Sequence, residues 1–137
     1  MIDLNQYIGK PFEIGGRGPA VYDCYGLTKA VAAARSYWLP EQVTPDAVAM
    51  RLAMFEKIAC PFLAGVVRPR PWAIVAFDYR WRGLHIGTMT AEPGRFIHVG
   101  SDTGRVIVSR LADPKYDRFV YGFYRTTHTI RVATKAS

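Results

Sequence analysis

The chain has 137 residues, 50% of them hydrophobic and 13% aromatic, and a formal net charge of +7. This length and composition exclude a disordered chain and predict one domain over residues 1–137 with a core of its own. No window of about 18 apolar residues occurs, so no transmembrane segment is predicted.

The first part of the chain is predicted to be helical. A short helix is expected over residues 2–8, and the glycine- and proline-rich residues 10–23 are expected to form a loop. Residues 24–37 place apolar side chains at helical spacing. Asp23, directly before them, is a good N-cap because its carboxylate can accept hydrogen bonds from the free amides of a first helical turn.

A second helix is expected to begin at Thr44-Pro45, since an N-cap residue followed by proline is typical of a helix start. It would run to about Lys57. Residues 60–71 contain three prolines, which break regular structure, and this segment is predicted to be irregular.

Short β-branched or aromatic runs separated by glycines follow, at intervals of about ten residues, which is typical of an antiparallel sheet of hairpins. These runs are residues 72–79, 84–90, 95–99, 105–110 and 118–125, and a further run at 128–133 could extend the series. Helices first and strands afterwards predict an α+β fold, with N-terminal helices packed on an antiparallel β-sheet of about five to six strands.

Three residues in this arrangement could carry chemistry. His85 and His98 lie on neighbouring predicted strands joined by the turn AEPG, so their side chains can meet on one face. Cys24 lies at a helix start, where backbone amides favour a thiolate. A thiol, a base and an orienting group form an activated nucleophile. The alternative is a buried, inert cysteine with two structural histidines.

The remaining cysteine and histidine are predicted to have no catalytic role. Cys60 follows an apolar helix and is interpreted as a core residue, and His128 is interpreted as exposed and idle. Two cysteines are too few for a disulfide framework, and the cysteines and histidines lack the close spacing of zinc ligands. The sequence therefore predicts neither a metal site nor a cofactor.

The sequence motifs around these residues resemble those of a known family. YIGKPFEIGGRGPAVYDCYGL resembles the signature of the NlpC-type cell-wall cysteine peptidases, with a Gly-Gly turn and then Asp-Cys-x-Gly-Leu opening a helix. LHIGTMTAEPGRFIHVG resembles the second block of the family, and GRVIVSRL and YGFYR resemble its closing strands. The GRGP before the cysteine and Leu39-Pro40 after the helix look most like the phage-tail branch. The resemblance covers about residues 7–125.

The resemblance implies a papain-like fold and a role for each residue. Cys24 would be the nucleophile, His85 the general base, and His98 the group that orients His85. The amide of Cys24 would contribute to an oxyanion hole, with Asp23 and Phe12 beside it. Members of the family cut peptidoglycan stem peptides, commonly after D-glutamate joined through its γ-carboxyl group.

Two departures from the family pattern stand out. The family usually has tyrosine, with its hydroxyl near the cysteine, where this chain has Phe12, and it tends to have Gly-Asp where this chain has Pro71-Trp72. The first change bears on catalytic strength or substrate choice, and the second is interpreted as structural. Further side chains could line a substrate cleft, although such aromatics serve equally often in packing. These cleft candidates are Arg17, Tyr22, Asp23, Tyr25 and Trp81.

The leading hypothesis is a thiol endopeptidase that acts on peptidoglycan stem peptides as part of a phage tail or prophage. The first residues, MIDLNQYIGKPFEIGG, do not resemble a signal peptide. The protein is therefore expected in a virion tail, or in the cytoplasm before assembly, with other tail proteins as partners. The alternatives are a non-catalytic tail-assembly or tail-tip protein with the same fold, and a thiol acyltransferase or amidase.

The positive charge is unevenly distributed along the chain, which bears on the kind of molecule that the protein could bind. Residues 1–60 hold six basic and six acidic residues, whereas residues 61–137 hold twelve basic and five acidic residues. A basic surface attracts polyanions, including an anionic cell wall, although a solvated face that aids solubility is an equally good explanation. No arginine-rich tract or known nucleic-acid motif occurs, so no nucleic-acid partner is predicted.

Overall fold

A computed structural model describes residues 2–45, 47–79 and 81–130 of the chain. Its helices are α1 (Cys24–Ala34), α2 (Met50–Met54) and α3 (Pro114–Asp117), and a π-helical turn over Phe55–Ala59 extends α2. Its strands are β1 (Leu63–Val66), β2 (Ile74–Tyr79), β3 (Gly83–Met89), β4 (Arg95–His98), β5 (Ile107–Arg110) and β6 (Val120–Thr126).

The six strands form one sheet in the order β1-β6-β2-β3-β4-β5, and every neighbouring pair is antiparallel. The longest strands, β2 and β3, pair in the centre, with Phe77 opposite His85. The predicted α+β class, with helices packed on an antiparallel sheet of about six strands, is confirmed.

The two faces of the sheet bury separate apolar clusters, because successive side chains of a strand point to opposite faces. On one face, Ile74, Ala76 and Ile86 pack with residues of α1 and with Phe55. On the other face, Val75 and Phe77 of β2 belong to a largely aromatic cluster that includes Phe96 and Tyr116. Helix α1 lies against β3 and β4.

The predicted helix over 24–37 begins at the expected residue but ends at Ala34. Arg35 caps it, and Ser36 adopts a φ of 67°, a left-handed conformation in which a helix cannot continue. The predicted helix over 2–8 is only a 3₁₀ turn at Leu4–Gln6.

The predicted helix start at Thr44-Pro45 is wrong, since α2 begins at Met50. The Thr44 hydroxyl does not cap a helix of its own. Instead it donates a hydrogen bond of 2.6 Å to Oδ2 of Asp23, which fastens the loop after α1 to the start of α1. A side chain used in this way is unavailable to the amides that follow it.

The segment over 60–71 was expected to be irregular, but it contains the edge strand β1, in which Leu63 pairs with Thr126. Of the possible strand over 128–133, Thr129 forms an isolated bridge with Tyr37. Residues 131–133 lie outside the described residues.

Candidate active site

The start of α1 is fixed by one carboxylate. Oδ1 of Asp23 accepts a hydrogen bond of 2.7 Å from the amide of Gly26 and a second, also 2.7 Å, from the guanidinium of Arg17. Oδ2 accepts from the amide of Gly15 at 2.8 Å and from Thr44. Asp23 is therefore an N-cap that also joins two loop segments to the helix, one at Gly15 and Arg17 and one at Thr44, and Cys24 is the first residue after it.

A glycine contact brings the loop and the helix together. A Cβ atom added to Gly26 would overlap the carbonyl oxygen of Gly16. Gly16 in turn leaves no room for a Cβ, which would lie 2.8 Å from the Cα of Tyr22. The Gly-Gly turn and the glycine two residues after Cys24 thus allow the backbone to pass close to the first turn of α1.

The two histidines of the hairpin are in direct contact. Nε2 of His85 lies 2.8 Å from Nδ1 of His98, and Nε2 of His98 lies 2.8 Å from the hydroxyl oxygen of Ser109. The Ser109 hydroxyl lies 3.5 Å from the hydroxyl of Tyr116. Both imidazoles are buried, with His98 fully inaccessible and His85 4% exposed.

This row of contacts favours one tautomer of His85. If Ser109 donates to Tyr116, its oxygen accepts the Nε2 proton of His98, and Nδ1 of His98 is then an acceptor for the Nε2 proton of His85. Nδ1 of His85 consequently keeps its lone pair. That nitrogen is the one that can accept a proton from a neighbouring group.

Burial keeps both histidines neutral. It lowers the pKa of His85 well below its usual value, and the neighbouring His98 and Arg82 lower it further, while Asp102 acts in the opposite direction. Burial also lowers the pKa of His98 to about 4. A neutral imidazole at physiological pH can act as a base without first losing a proton.

Cys24 and His85 line the same cavity, which has a volume of about 50 Å³. Phe12 lines it from the N-terminal loop, and two cationic side chains reach it from α2 and from the turn before β3. The full set is Phe12, Cys24, Arg51, Arg82, Leu84, His85, Val99, Gly100 and Ser101. The structure thus places Cys24, His85 and Phe12 around one cavity, and His98 lies behind His85 in contact with its Nε2.

The resting thiol of Cys24 is protonated. Burial raises its pKa to about 11, the charge of Asp23 raises it as well, and the amides of Ile86 and Tyr25 and the charge of Arg51 lower it. The helix start alone predicts a lowered thiol pKa. Removal from water and the adjacent carboxylate outweigh that effect here.

The cleft candidates lie elsewhere. Tyr22 and Tyr25 are 5% and 3% exposed and pack in the core, and Asp23 is 2% exposed. Arg17 is held by Asp23 and Glu41. None of these side chains lines the cavity.

Trp81 also lies outside the cavity. It is 67% exposed, and its ring packs edge-on against Phe119. The remaining cysteine, Cys60, is partly buried against the core, and the remaining histidine, His128, is exposed with Nδ1 2.8 Å from the hydroxyl of Thr127.

Sequence reasoning missed Ser109, Tyr116, Arg51 and Arg82 as neighbours of the candidate site. Ser109 stands within the strand-like run RVIVSR, where a serine gives no signal of its own. In the described part of the chain, no group of three or more His, Cys, Asp or Glu residues could hold a metal ion. None of the helices over residues 2–45, 47–79 and 81–130 is long and apolar enough to cross a membrane.

No family model and no curated protein matches this sequence. Solved structures do match. A lipoprotein-like NLP/P60 family protein from Staphylococcus aureus is 20% identical with a TM-score of 0.65 and covers 92% of this chain. An NlpC/P60 family protein from Bacillus cereus is 17% identical with a TM-score of 0.65 over 88% of this chain. NlpC1 from Trichomonas vaginalis is 17% identical with a TM-score of 0.61 over 90%.

This chain spans 39%, 36% and 42% of the length of those three proteins, respectively. At this level of identity the matches establish the fold. The chain has the papain-like α+β fold of NlpC/P60 proteins, as the resemblance implied.

Proposed function

We propose that this protein is a cysteine peptidase of the NlpC/P60 family that hydrolyses peptide bonds of peptidoglycan. The observation that carries the proposal is the shared cavity of Cys24 and His85, in which His85 is oriented by His98 at 2.8 Å. A thiol, a base with a free lone pair and an orienting group are the parts that covalent acyl transfer requires.

The proposed reaction has two steps. As Sγ of Cys24 attacks the carbonyl carbon of the substrate, its proton passes to Nδ1 of His85. The tetrahedral oxyanion collapses to a thioester while the leaving amine takes the proton from His85. Water then attacks the thioester carbon, giving one proton to His85, which returns it to the thiolate as the carboxylic acid product leaves.

The protonation states favour transfer during the attack over a preformed ion pair. A thiol with a pKa of about 11 beside an imidazole with a lowered pKa rests as two neutral groups. Arg51 and Arg82 line the cavity in which negative charge would develop, and Cys24 lies at the N-terminal end of α1, where the helix dipole is positive. They stabilise the oxyanion more than the neutral resting state.

We further propose which substrate the protein cleaves and where it acts. The resemblance supports cleavage of stem peptides after γ-linked D-glutamate, in a phage tail or prophage protein that acts at the bacterial cell wall together with other tail proteins. The basic second part of the chain is consistent with attraction to an anionic wall. Before assembly into a virion, the protein would be in the cytoplasm.

Mass spectrometry of muropeptides incubated with the protein tests this proposal. We expect wild type and Cys60→Ala to release fragments that end at D-glutamate, and Cys24→Ala to release none. Cys60→Ala is the matched control because it removes the other free thiol, which lies outside the cavity. Equal cleavage by Cys24→Ala would show that Cys24 is not the nucleophile. If wild type cleaves nothing, the protein is not a peptidase that is active on its own.

A second candidate is a non-catalytic tail-assembly protein that retains the fold. Two features favour it: burial raises the pKa of the Cys24 thiol, and Phe12 brings no hydroxyl to the cavity that it shares with that thiol. Iodoacetamide labelling separates the two candidates if it is repeated with a muropeptide present. A peptidase would show protection of Cys24, but not of Cys60, by the substrate, whereas an assembly protein would show the same labelling with and without it.

A further inference from the structure

A second cavity lies at the far end of α1. It has a volume of about 200 Å³ and is lined by three arginines, Arg35, Arg70 and Arg125, together with Tyr37, Pro71, Trp72, Ala73 and Thr126. We call it the arginine cavity. It shares no lining residue with the cavity at Cys24. Cys24 begins α1 and Arg35 caps it, so along this 11-residue helix the two are separated by roughly 16 Å.

The arginine cavity concentrates positive charge. None of the described residues that line it is acidic. Within the described ranges 2–45, 47–79 and 81–130, none of the three guanidinium groups forms a salt bridge, although Arg17, Arg82 and Arg95 each pair with a carboxylate. Three arginines thus line one small space without a carboxylate partner among the described residues, and a bound anion would compensate their charge.

Two aromatic rings hold Arg35 in position. Its guanidinium carbon lies 5.1 Å from the ring centre of Tyr37 and 5.3 Å from that of Trp72, which is within the range of cation–π contacts. Burial lowers the pKa of Arg35, so the charge is kept at this position against a desolvation cost. An arginine fixed on two rings presents its remaining donors to the cavity with little loss of side-chain entropy.

The backbone conformation of Trp72 is a second, independent indication of a binding site at this cavity. Trp72 has a φ of 70°, a left-handed conformation that favours glycine and is an outlier for a bulky residue. Backbone strain of this kind concentrates at binding sites, where the surrounding structure maintains it. Here the strained residue places its ring beneath Arg35 and at the wall of the arginine cavity.

We propose that the arginine cavity binds a dianionic phosphate group. Arginine forks match the oxygens of phosphate and carboxylate groups, and two negative charges compensate three guanidinium groups better than the single charge of a carboxylate. The volume of about 200 Å³ is below that of pockets that enclose drug-sized ligands, so it suits one phosphate group and not a whole large molecule. This site is independent of the peptidase proposal.

Isothermal titration calorimetry at low ionic strength tests the site, with inorganic phosphate as the probe and acetate as the carboxylate comparison. We expect one phosphate site, with Arg70→Gln and Arg125→Gln each weakening binding about tenfold, as expected when a charge-assisted contact is lost. Arg118→Gln is the matched control, since it removes an exposed arginine outside the cavity, and it should change the affinity less than about twofold.

Equal weakening by Arg118→Gln, equal binding of acetate, or no binding of phosphate by wild type would overturn the proposal. Arg70 and Arg125 are exposed, and thermal unfolding of both variants verifies that their folds are intact. Glycerol 3-phosphate distinguishes the source of the group. Tighter binding than inorganic phosphate indicates a phosphate monoester as the ligand, and equal or weaker binding indicates the free ion.

Discussion

Removal of the Asp23 carboxylate should destabilise the protein far more than removal of an ordinary helix cap. Asp23 accepts four hydrogen bonds and is 2% exposed. The side chain of Asp113, the N-cap of α3, accepts one hydrogen bond within the described residues, from the amide of Lys115 at 3.1 Å. The pair Asp23→Ala and Asp113→Ala therefore compares the same chemical change at a shared carboxylate and at a simple cap.

The expected magnitude follows from the contacts. Loss of a helix cap costs about 1 kcal/mol, which is the whole effect expected for Asp113→Ala. Asp23→Ala also removes one of the two carboxylate partners of Arg17 and the anchors of Gly15 and Thr44, at about 1 kcal/mol each, since net hydrogen-bond contributions are of that size. The sum is about 4 kcal/mol.

Urea unfolding measures both variants. For a slope of about 2 kcal/mol per molar urea, Asp23→Ala should lower the midpoint by roughly 2 M and Asp113→Ala by roughly 0.5 M. Asp23→Asn keeps the size of the side chain and one acceptor oxygen, so it should fall between wild type and Asp23→Ala, and it serves if the alanine variant does not fold. Equal midpoints for the two alanine variants would refute the view that Asp23 joins the loops to α1.

Three further predictions concern the site. In the folded protein His98 has a pKa of about 4, below its usual value, so the unfolded chain binds the extra proton and the free energy of unfolding falls as the pH drops below 6.5. Urea midpoints at pH 7 and pH 5 should reveal a loss of about 2 kcal/mol from His98 alone. Unchanged midpoints would contradict this prediction. Ser109→Ala should lower kcat up to about tenfold with KM unchanged, since it removes one hydrogen bond that fixes the tautomer of His85, and an effect on KM alone would argue against this role. Phe12→Tyr should raise the cleavage rate several-fold by placing a hydroxyl beside Cys24, and progress curves that coincide with wild type would show that this hydroxyl is dispensable.

Local signals were sufficient to predict the start of α1 and the histidine hairpin. Asp23, Cys24 and Gly26 are neighbours in sequence, and their cap geometry depends on a single turn of helix. His85 and His98 lie on strands joined by a short turn, so their contact needs only antiparallel pairing.

Long-range contacts account for what was missed. The Thr44 hydroxyl binds Asp23 and not an amide of its own helix, which no local pattern indicates. Strand β1 exists because β6, about sixty residues later, pairs with it. Ser109 belongs to the site because β5 pairs with β4, which brings its hydroxyl within hydrogen-bond distance of His98.

The contact between Gly16 and Gly26 has a consequence for how sequences with this fold can diverge. The atom that a side chain at position 26 would strike is a backbone carbonyl oxygen, so no substitution at position 16 could make room for it. Glycine at position 26 is therefore required for packing, whether or not the neighbouring thiol reacts. A related protein that lost thiol chemistry could replace Cys24 but would still need Gly26. Two neighbouring positions of one short motif are therefore constrained by different requirements, position 24 by reactivity and position 26 by packing.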